Sequence, residues 1–319
     1  MSPTSRHAPA PAPAPAPRTA PRATFATHAA LLVVQVAFAS QAVEAKVLML
    51  PRAAGGEGLP AFALAMARML AGAAFFQGYW VLTRRGPPPP RLTARDHAAL
   101  FGLSLLGITL NQALFLLGLG RTSPFAAALL SATIPVCTAG LSAALGLERL
   151  RARTVFGLGV AIAGVLVLTG LRTIDRGAAL VALNSLLYAS YLVLGRSTIV
   201  RLGALRVVTW VFTYGAITFA PFALPELVAA APELTTRGTW LLLYILAMPT
   251  IVAYLLNAWA LGRSTPTLVT VYIYLQPLIA GLLAYVQLGQ ALSSRMGTAG
   301  VLVLVGVTIV ATRRAEPLG

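Results

Sequence analysis

LGRTSPFAAALLSATIPVCTAGLSAALGLE, residues 119–148, returns 142 residues later as LGRSTPTLVTVYIYLQPLIAGLLAYVQLGQ, residues 261–290. In this alignment Pro135 corresponds to Pro277, and Glu148 corresponds to Gln290. A repeat of this length indicates an internal duplication, so the two halves of the chain are expected to share one architecture.

Each copy is an apolar span with a proline near its middle. A mid-helix proline removes one backbone hydrogen bond and frees the carbonyl four residues earlier, here that of Ser131 or Ile273. At membrane depth a free carbonyl is tolerated only against protein or a water-filled cavity. Matching proline-interrupted spans in two halves indicate a transporter's binding site. We therefore expect Pro135 and Pro277 to be helix kinks beside a cavity; a packing kink without a ligand is the alternative.

Composition defines the class of protein. The 319 residues are 58% hydrophobic and only 10% charged, with a mean hydropathy of +0.80, which predicts an integral membrane protein in contact with a lipid bilayer. The net charge of +16 does not indicate nucleic-acid binding, because the basic residues are spread over short links between apolar spans. One cysteine and three scattered histidines predict neither an internal disulfide nor a metal site, and no cofactor is expected.

The apolar segments predict an all-α integral membrane fold. Residues 1–24, with an alternating Ala-Pro run, are expected to be a disordered cytoplasmic tail. Residues 25–173 form the first predicted repeat (helices 1–5), 174–314 the second (helices 6–10), and 315–319 a cytoplasmic C-terminal tail. The ten predicted spans are 27–49, 61–82, 98–119, 123–146, 154–171, 177–195, 206–224, 239–261, 265–288 and 296–312.

The distribution of basic residues predicts the orientation. With the N-terminus inside, sixteen arginines fall in inner segments and six in outer segments. The positive-inside rule therefore places both termini in the cytoplasm and the chain in the cell (inner, cytoplasmic) membrane. Since five spans per repeat is an odd number, the second repeat is expected to lie inverted relative to the first, around a central cavity.

Two charged residues fall inside predicted spans at depths where they could meet. Glu44 lies toward the outer end of the first span, and Arg68 lies in the outer half of the second. An intramembrane carboxylate indicates function by default. Glu44 and Arg68 could form a structural ion pair; alternatively Glu44 could take up and release a coupling proton, or extend to the membrane surface. Arg68 could instead neutralise a substrate carboxylate, or serve helix packing alone.

Further polar side chains recur at helical spacing and should face inward. They describe an aromatic, amide-rich and largely uncharged cavity, which suits small zwitterions or neutral metabolites; for any one of them, holding two helices together is the alternative. Gln112 lies beside this set on the third span. The candidate cavity residues are Gln41, Asn111, Asn184, Tyr188, Tyr191, Tyr254, Asn257, Tyr272 and Gln276.

Several short motifs resemble the EamA-like branch of the drug/metabolite transporter superfamily. They are Lys46 at the end of the first span, Arg68 within AMARMLAGAAFF, NQALFLLGLGRTSPFAAALLSATIP in spans three and four, the glycine-rich fifth span, and YIYLQP in the ninth. The resemblance covers about residues 27–312. One departure is Gln290, where the family more often carries glutamate.

The resemblance implies a ten-helix fold whose cavity is lined by spans 1, 3, 4, 6, 8 and 9. It also implies export or exchange of small metabolites such as amino acids, without an ATPase domain and without enzymatic activity. A multidrug or cationic-amphiphile efflux carrier is the alternative, and a membrane enzyme or a non-transporting receptor is a further one. Glycines in spans five and ten would permit a homodimer without requiring it.

Overall fold

The structure is all-helical. It is a computed structural model that describes residues 24–83, 91–146, 152–169, 176–261, 272–291 and 293–311, and these residues contain no β-strand. The predicted tail before residue 24 and the basic link around Glu148 lie outside the described residues. Seven helical segments are long and apolar enough to cross a membrane, and three further apolar helices are shorter. The prediction of a multi-pass, all-α membrane protein is thereby confirmed.

The helices follow the apolar segments closely. Their bounds are α1 Phe25–Met49, α2 Ala61–Thr83, α3 Ala94–Ser104, α4 Leu110–Arg121, α5 Pro124–Ser131, α6 Ile134–Ala144, α7 Ala152–Thr169, α8 Arg176–Leu202, α9 Ala204–Ala230, α10 Thr236–Ile245, α11 Ala253–Leu261, α12 Gln276–Leu288 and α13 Ser294–Ala311. Short 3₁₀ turns cover Arg52–Ala54, Ala231–Glu233 and Tyr272–Leu275.

Hydroxyl side chains fix where several helices begin. The Thr24 hydroxyl accepts from the backbone N–H of Thr27 at the start of α1. Thr93 and Asp96 form a reciprocal capping box at the start of α3. Such caps satisfy backbone donors that a helix N-terminus leaves unpaired. They explain why α3 begins four residues before the predicted third span, in a polar stretch.

Two π-helical turns interrupt the spans that the sequence predicted as continuous helices. The first π-turn, Leu105–Thr109, joins α3 to α4, and the second π-turn, Leu246–Val252, joins α10 to α11. They occupy corresponding positions in the two copies, because residue 105, the first of the first π-turn, corresponds at the 142-residue offset to residue 247, which lies in the second π-turn. π-helical turns are rare and concentrate at functional sites.

Packing between helices follows a reciprocal pattern. Helix α2 packs along α9, α7 along α13, and α5 against α12. In each pair, a span of the first half contacts the corresponding span of the second half. The contact between α4 and α8 likewise has its counterpart in the contact between α11 and α1. Large apolar side chains such as Ile217 and Phe222 are exposed on the outside, as expected for surfaces that contact acyl chains.

Candidate functional site

The span that contains Pro135 is broken rather than kinked. Helix α5 ends at Ser131 and α6 begins at Ile134, with Pro135 in its first two positions. Proline is well suited to the first turn of a helix, because its missing N–H would have no partner there. A two-residue turn at Ala132 and Thr133 therefore interrupts the span directly before Pro135, and a cavity beside this point stays a prediction.

The carbonyl that bonds across helices at this break belongs to Leu130. It accepts from the Thr133 backbone N–H at 3.0 Å and from the Ser185 hydroxyl of α8 at 3.1 Å. The Thr133 hydroxyl bonds the same carbonyl at 2.5 Å. This contact concerns a different carbonyl from that of Ser131, which Pro135 is predicted to leave without its helical donor; that expectation stays a prediction.

Pro277 also stands at the beginning of a helix. It is buried in the first turn of α12, directly after the 3₁₀ turn Tyr272–Leu275. Helix α1 lies alongside: Gln276 Nε2 donates to Gln35 Oε1 at 2.6 Å, and Tyr272 Oη lies 2.5 Å from His28 Nδ1. Gln35 was not among the predicted cavity residues, although a glutamine inside an apolar run of α1 indicates an inward-facing polar side chain.

Arg68 of α2 connects the two π-turn regions. Its Nε donates to Thr250 Oγ1 in the second π-turn at 2.9 Å, and its Nη1 donates to Gln112 Oε1 of α4, just after the first π-turn. The Thr250 hydroxyl donates in turn to the Ile245 carbonyl at 2.9 Å. Arg68 is only 2% exposed. Thr250, fully buried, was missed by sequence reasoning because a single threonine in an apolar helix carries no distinctive pattern.

Three of the predicted cavity tyrosines lie close to one another, and one of them, Tyr254, lies close to Arg68. Tyr188 and Tyr191 of α8 stack with ring centroids 5.7 Å apart. Tyr254 of α11 lies within the electrostatic reach of both of them. It also lies against the Gln112 amide, within the field of Arg68. The structure thus brings aromatic and amide side chains of both halves to one interior cluster, in which the tyrosines are half-buried and Gln112 is buried.

Two of the predicted cavity asparagines instead join helices to each other. Asn184 Nδ2 donates to the Asn111 carbonyl at 2.8 Å, and Asn111 Nδ2 donates to the Asn184 carbonyl at 3.4 Å. This reciprocal contact ties α4 to α8. Gln41 is buried on α1, and Asn257 is half-buried on α11.

The ion pair between Glu44 and Arg68 is not formed. Glu44 is half-buried, and its Oε1 accepts from Gln287 Nε2 of α12 at 3.0 Å. Arg68 faces the second π-turn instead. Since the two side chains leave their helices toward different neighbours, their similar depth does not bring them together.

Lys46 closes the end of the bundle at which α1 ends. Its ammonium donates to the carbonyls of Leu119, Gly120 and Thr122 at 2.8, 2.9 and 3.0 Å. These carbonyls belong to the last turn of α4 and the link that follows. A cation there satisfies the carbonyl groups that a helix C-terminus leaves unpaired and interacts favourably with the helix dipole.

Glu57 provides a second connection at the same end. Its carboxylate accepts from the Thr235 backbone N–H at 3.1 Å and from the Thr235 hydroxyl at 2.8 Å, immediately before α10. This contact joins the α1–α2 link to the second half of the chain. The central cavity itself stays a prediction, because residues 265–271 of the ninth predicted span lie outside the described residues.

The fold and these contacts define a multi-pass helical membrane protein in which both halves contribute polar groups to the interior. The model of the EamA-like transporter family matches residues 28–170 and 175–312. The chain therefore belongs to the EamA-like transporter family, as its motifs indicated, and is a membrane transporter by this kinship.

Curated relatives carry transporter names in part. The chain is 26% identical over 244 residues to an "Uncharacterized transporter" of Archaeoglobus fulgidus, covering 74% of this chain and 83% of the relative. It is 24% identical over 274 residues to "Protein WALLS ARE THIN 1" of Arabidopsis thaliana, covering 71% of this chain and 69% of that protein. A protein of known crystal structure matches with a TM-score of 0.59 and 18% identity, covering 91% of this chain and 98% of that one; this likeness concerns the fold alone.

Proposed function

We propose that the protein is a secondary transporter that exports or exchanges small metabolites, namely amino acids or related zwitterions, by alternating access. Its working unit would be ten transmembrane helices in two inverted five-helix halves around a central cavity. The observation that carries this proposal is the meeting of the two proline-containing spans, since α5 and α12 pack against each other and both pack against α1. Broken helices in corresponding positions are typical of carriers that bind substrate at mid-membrane.

The reciprocal packing supports a two-fold relation between the halves. If the halves are related by a two-fold axis, each contact between halves must occur twice or lie on the axis. The pairs α2–α9 and α7–α13 meet the second condition, and α4–α8 with α1–α11 meets the first. The odd number of predicted spans per half is what makes the arrangement inverted. The two separate matches to the family model, 28–170 and 175–312, agree with one unit per half.

The interior chemistry favours zwitterions over cationic amphiphiles. Among the described residues of this interior cluster, Arg68 is the one cation, and it lies with the half-buried phenols of Tyr188, Tyr191 and Tyr254 and the buried Gln112 amide. A cationic substrate would be repelled by the guanidinium, whereas a small zwitterion presents a carboxylate to it. Amino-acid counterflow in proteoliposomes tests the substrate class: exchange of at least one of the twenty L-amino acids is expected, and liposomes without protein are the control.

Alternating access can be tested at the two ends of the bundle. In a Cys137→Ser background, which removes the one native cysteine, Thr122→Cys places a thiol at the Lys46 end and His28→Cys places one at the opposite end. Adding a transported amino acid should raise the rate of maleimide labelling at one of these two thiols and lower it at the other. Labelling rates that move together, or not at all, would contradict the mechanism. A membrane-impermeant reagent should reach the His28→Cys thiol from the cytoplasmic side, which tests the proposed orientation.

Proton coupling is proposed to involve Glu44. Its carboxylate accepts from the neutral Gln287 amide, and no basic side chain of the described residues lies within salt-bridge distance of it. We expect Glu44→Gln to remove the pH dependence of transport while the protein still folds. Glu233→Gln, at an exposed residue that pairs with Arg52, is the matched control. Transport by Glu44→Gln that still depends on pH would show that another group carries the proton.

A further inference from the structure

The most unusual charge in the interior is the Arg68 guanidinium. It is 2% exposed and lies about 10 Å along α2 from its first residue, at 1.5 Å per residue. Across the described ranges, no carboxylate lies within salt-bridge distance of it. Buried charges in membrane proteins are normally paired or mark a ligand or ion pathway, because an uncompensated charge away from water is costly.

The neutral neighbours of Arg68 fix the guanidinium without neutralising it. Thr250 accepts from Nε and Gln112 accepts from Nη1. No described residue accepts a hydrogen bond from Nη2, which leaves both of its N–H donors available. Because two sides of the planar group are held, the direction of its remaining donors is set before any ligand arrives. Such pre-organisation reduces the ordering cost of binding.

The groups around Arg68 come from helices on both sides of the proposed cavity. Gln112 belongs to α4, Thr250 lies in the second π-turn, and Tyr254 lies in α11 directly after it. Tyr254 packs edge-on against Phe212 of α9, with ring centroids 5.0 Å apart. A ligand bound at Nη2 would therefore meet one fixed cation, one phenol and apolar ring surface. A guanidinium matches the planar geometry of a carboxylate and can bind it through parallel hydrogen bonds.

We propose that Arg68 binds the carboxylate of the transported metabolite, with Gln112 and Thr250 as positioning residues. This inference rests on the proposed transport function and deepens it by naming the group that the site recognises. Substrates that lack a carboxylate, such as amino-acid amides and the corresponding amines, should then bind weakly even when their side chains are identical.

The experiment uses the purified full chain in detergent and in proteoliposomes. The probes are the twenty L-amino acids and their carboxamides. For each pair we would measure the shift in melting temperature and counterflow. One or more of the amino acids should raise the melting temperature of the wild-type protein. The matching amides should need at least a tenfold higher concentration to give the same shift. Ligands that bind only the folded state raise its apparent stability, which makes the shift a binding readout.

Three variants separate recognition from folding. Arg68→Gln should lose the preference for acids over amides, and Arg68→Lys should weaken the apparent affinity for acids about tenfold, because an ammonium cannot reproduce the guanidinium fork. Arg121→Gln, which removes an exposed arginine bonded to the Leu117 carbonyl, should behave as wild type. If Arg68→Gln does not fold, Arg68→Lys still tests the proposal, since unchanged acid affinity in that variant would overturn it.

The remaining outcomes are also decisive. Counterflow of acids and amides with equal efficiency by wild type would leave the transport function standing and overturn the role of Arg68. A folded Arg68→Gln protein that still prefers acids would do the same. A wild-type protein that neither binds nor exchanges any acid would overturn both this inference and the proposed substrate class.

Discussion

The two π-turns occupy corresponding places in the two halves and yet bind different partners. Next to the first π-turn, the Ser104 hydroxyl donates to the Val211 carbonyl of α9 at 2.8 Å. In the second, Thr250 accepts from the Arg68 guanidinium of α2. Each turn thus contacts a helix of the opposite half, but one contact is neutral and the other involves a buried charge. The backbone irregularity repeats, whereas the chemistry does not.

The two turns also differ in their apparent cause. Pro249 lies inside the second π-turn and explains a local loss of regular hydrogen bonding, but the first contains no proline. Gly107 lies in the first turn where the Tyr191 ring approaches its backbone. Tertiary packing therefore suffices to stabilise such a turn, and proline is not required for it.

The largest effect is expected from Gly107→Leu. A Cβ atom at Gly107 would lie 2.5 Å from Cδ2 of Tyr191, so the stacked tyrosines would have to move. Overpacking of this kind costs about 1–3 kcal/mol or more, which should appear as a lower free energy of unfolding in denaturant titration. The control is Gly102→Leu on α3, where no atom lies within 4 Å of an added Cβ. Equal losses in both variants would show that the turn is not held by this contact.

Thr250→Val should cause the second largest loss of stability. It removes the acceptor of the buried Arg68 Nε, and a hydrogen bond to a charged group contributes about 1.5–3 kcal/mol. Thr239→Val is the matched control in the same span, because that hydroxyl is exposed and bonds only the Thr235 carbonyl. Melting temperatures of the two variants, measured in the same detergent, give the difference. A control that is as unstable as Thr250→Val would argue against a special role of the guanidinium contact.

Ser104→Ala tests the neutral counterpart of that contact. Its hydroxyl donates to a backbone carbonyl, so its loss should cost about 1 kcal/mol, less than Thr250→Val. Ser190→Ala removes a hydroxyl that bonds the Leu186 carbonyl within its own helix and should cost less still. If Ser104→Ala proves as harmful as Thr250→Val, the charge is not what distinguishes the two turns.

Pro249→Ala should have the smallest effect. The first π-turn forms without proline, so we expect the second to persist, with a loss of about 0.4–1 kcal/mol from the greater freedom of the unfolded chain. Pro221→Ala, at an exposed position inside α9, should instead raise stability, because proline is unfavourable in a helix interior. A large loss in Pro249→Ala would identify proline as the cause of the second turn.

Sequence patterns were sufficient for the all-α membrane class and the family but not for the details of the site. Hydropathy and the repeat located the helices, because burial in lipid imposes long apolar runs. The broken helix at Pro135 and both π-turns depend on how neighbouring helices pack, and no local pattern reports that. The same limit explains Glu44 and Arg68: their depth was readable from residue counts, whereas the direction of each side chain was not.

Lys46 gives the protein a built-in reporter. It is the sole lysine of the chain, and its ammonium is engaged by three carbonyls at the end of α4. An amine-specific reagent therefore has one lysine side chain as its target, and we expect its reaction there to be faster when α1 and α4 separate and the three contacts are lost. The rate of acylation at this nitrogen would record each opening of that end of the bundle, in unmodified protein and without an attached dye.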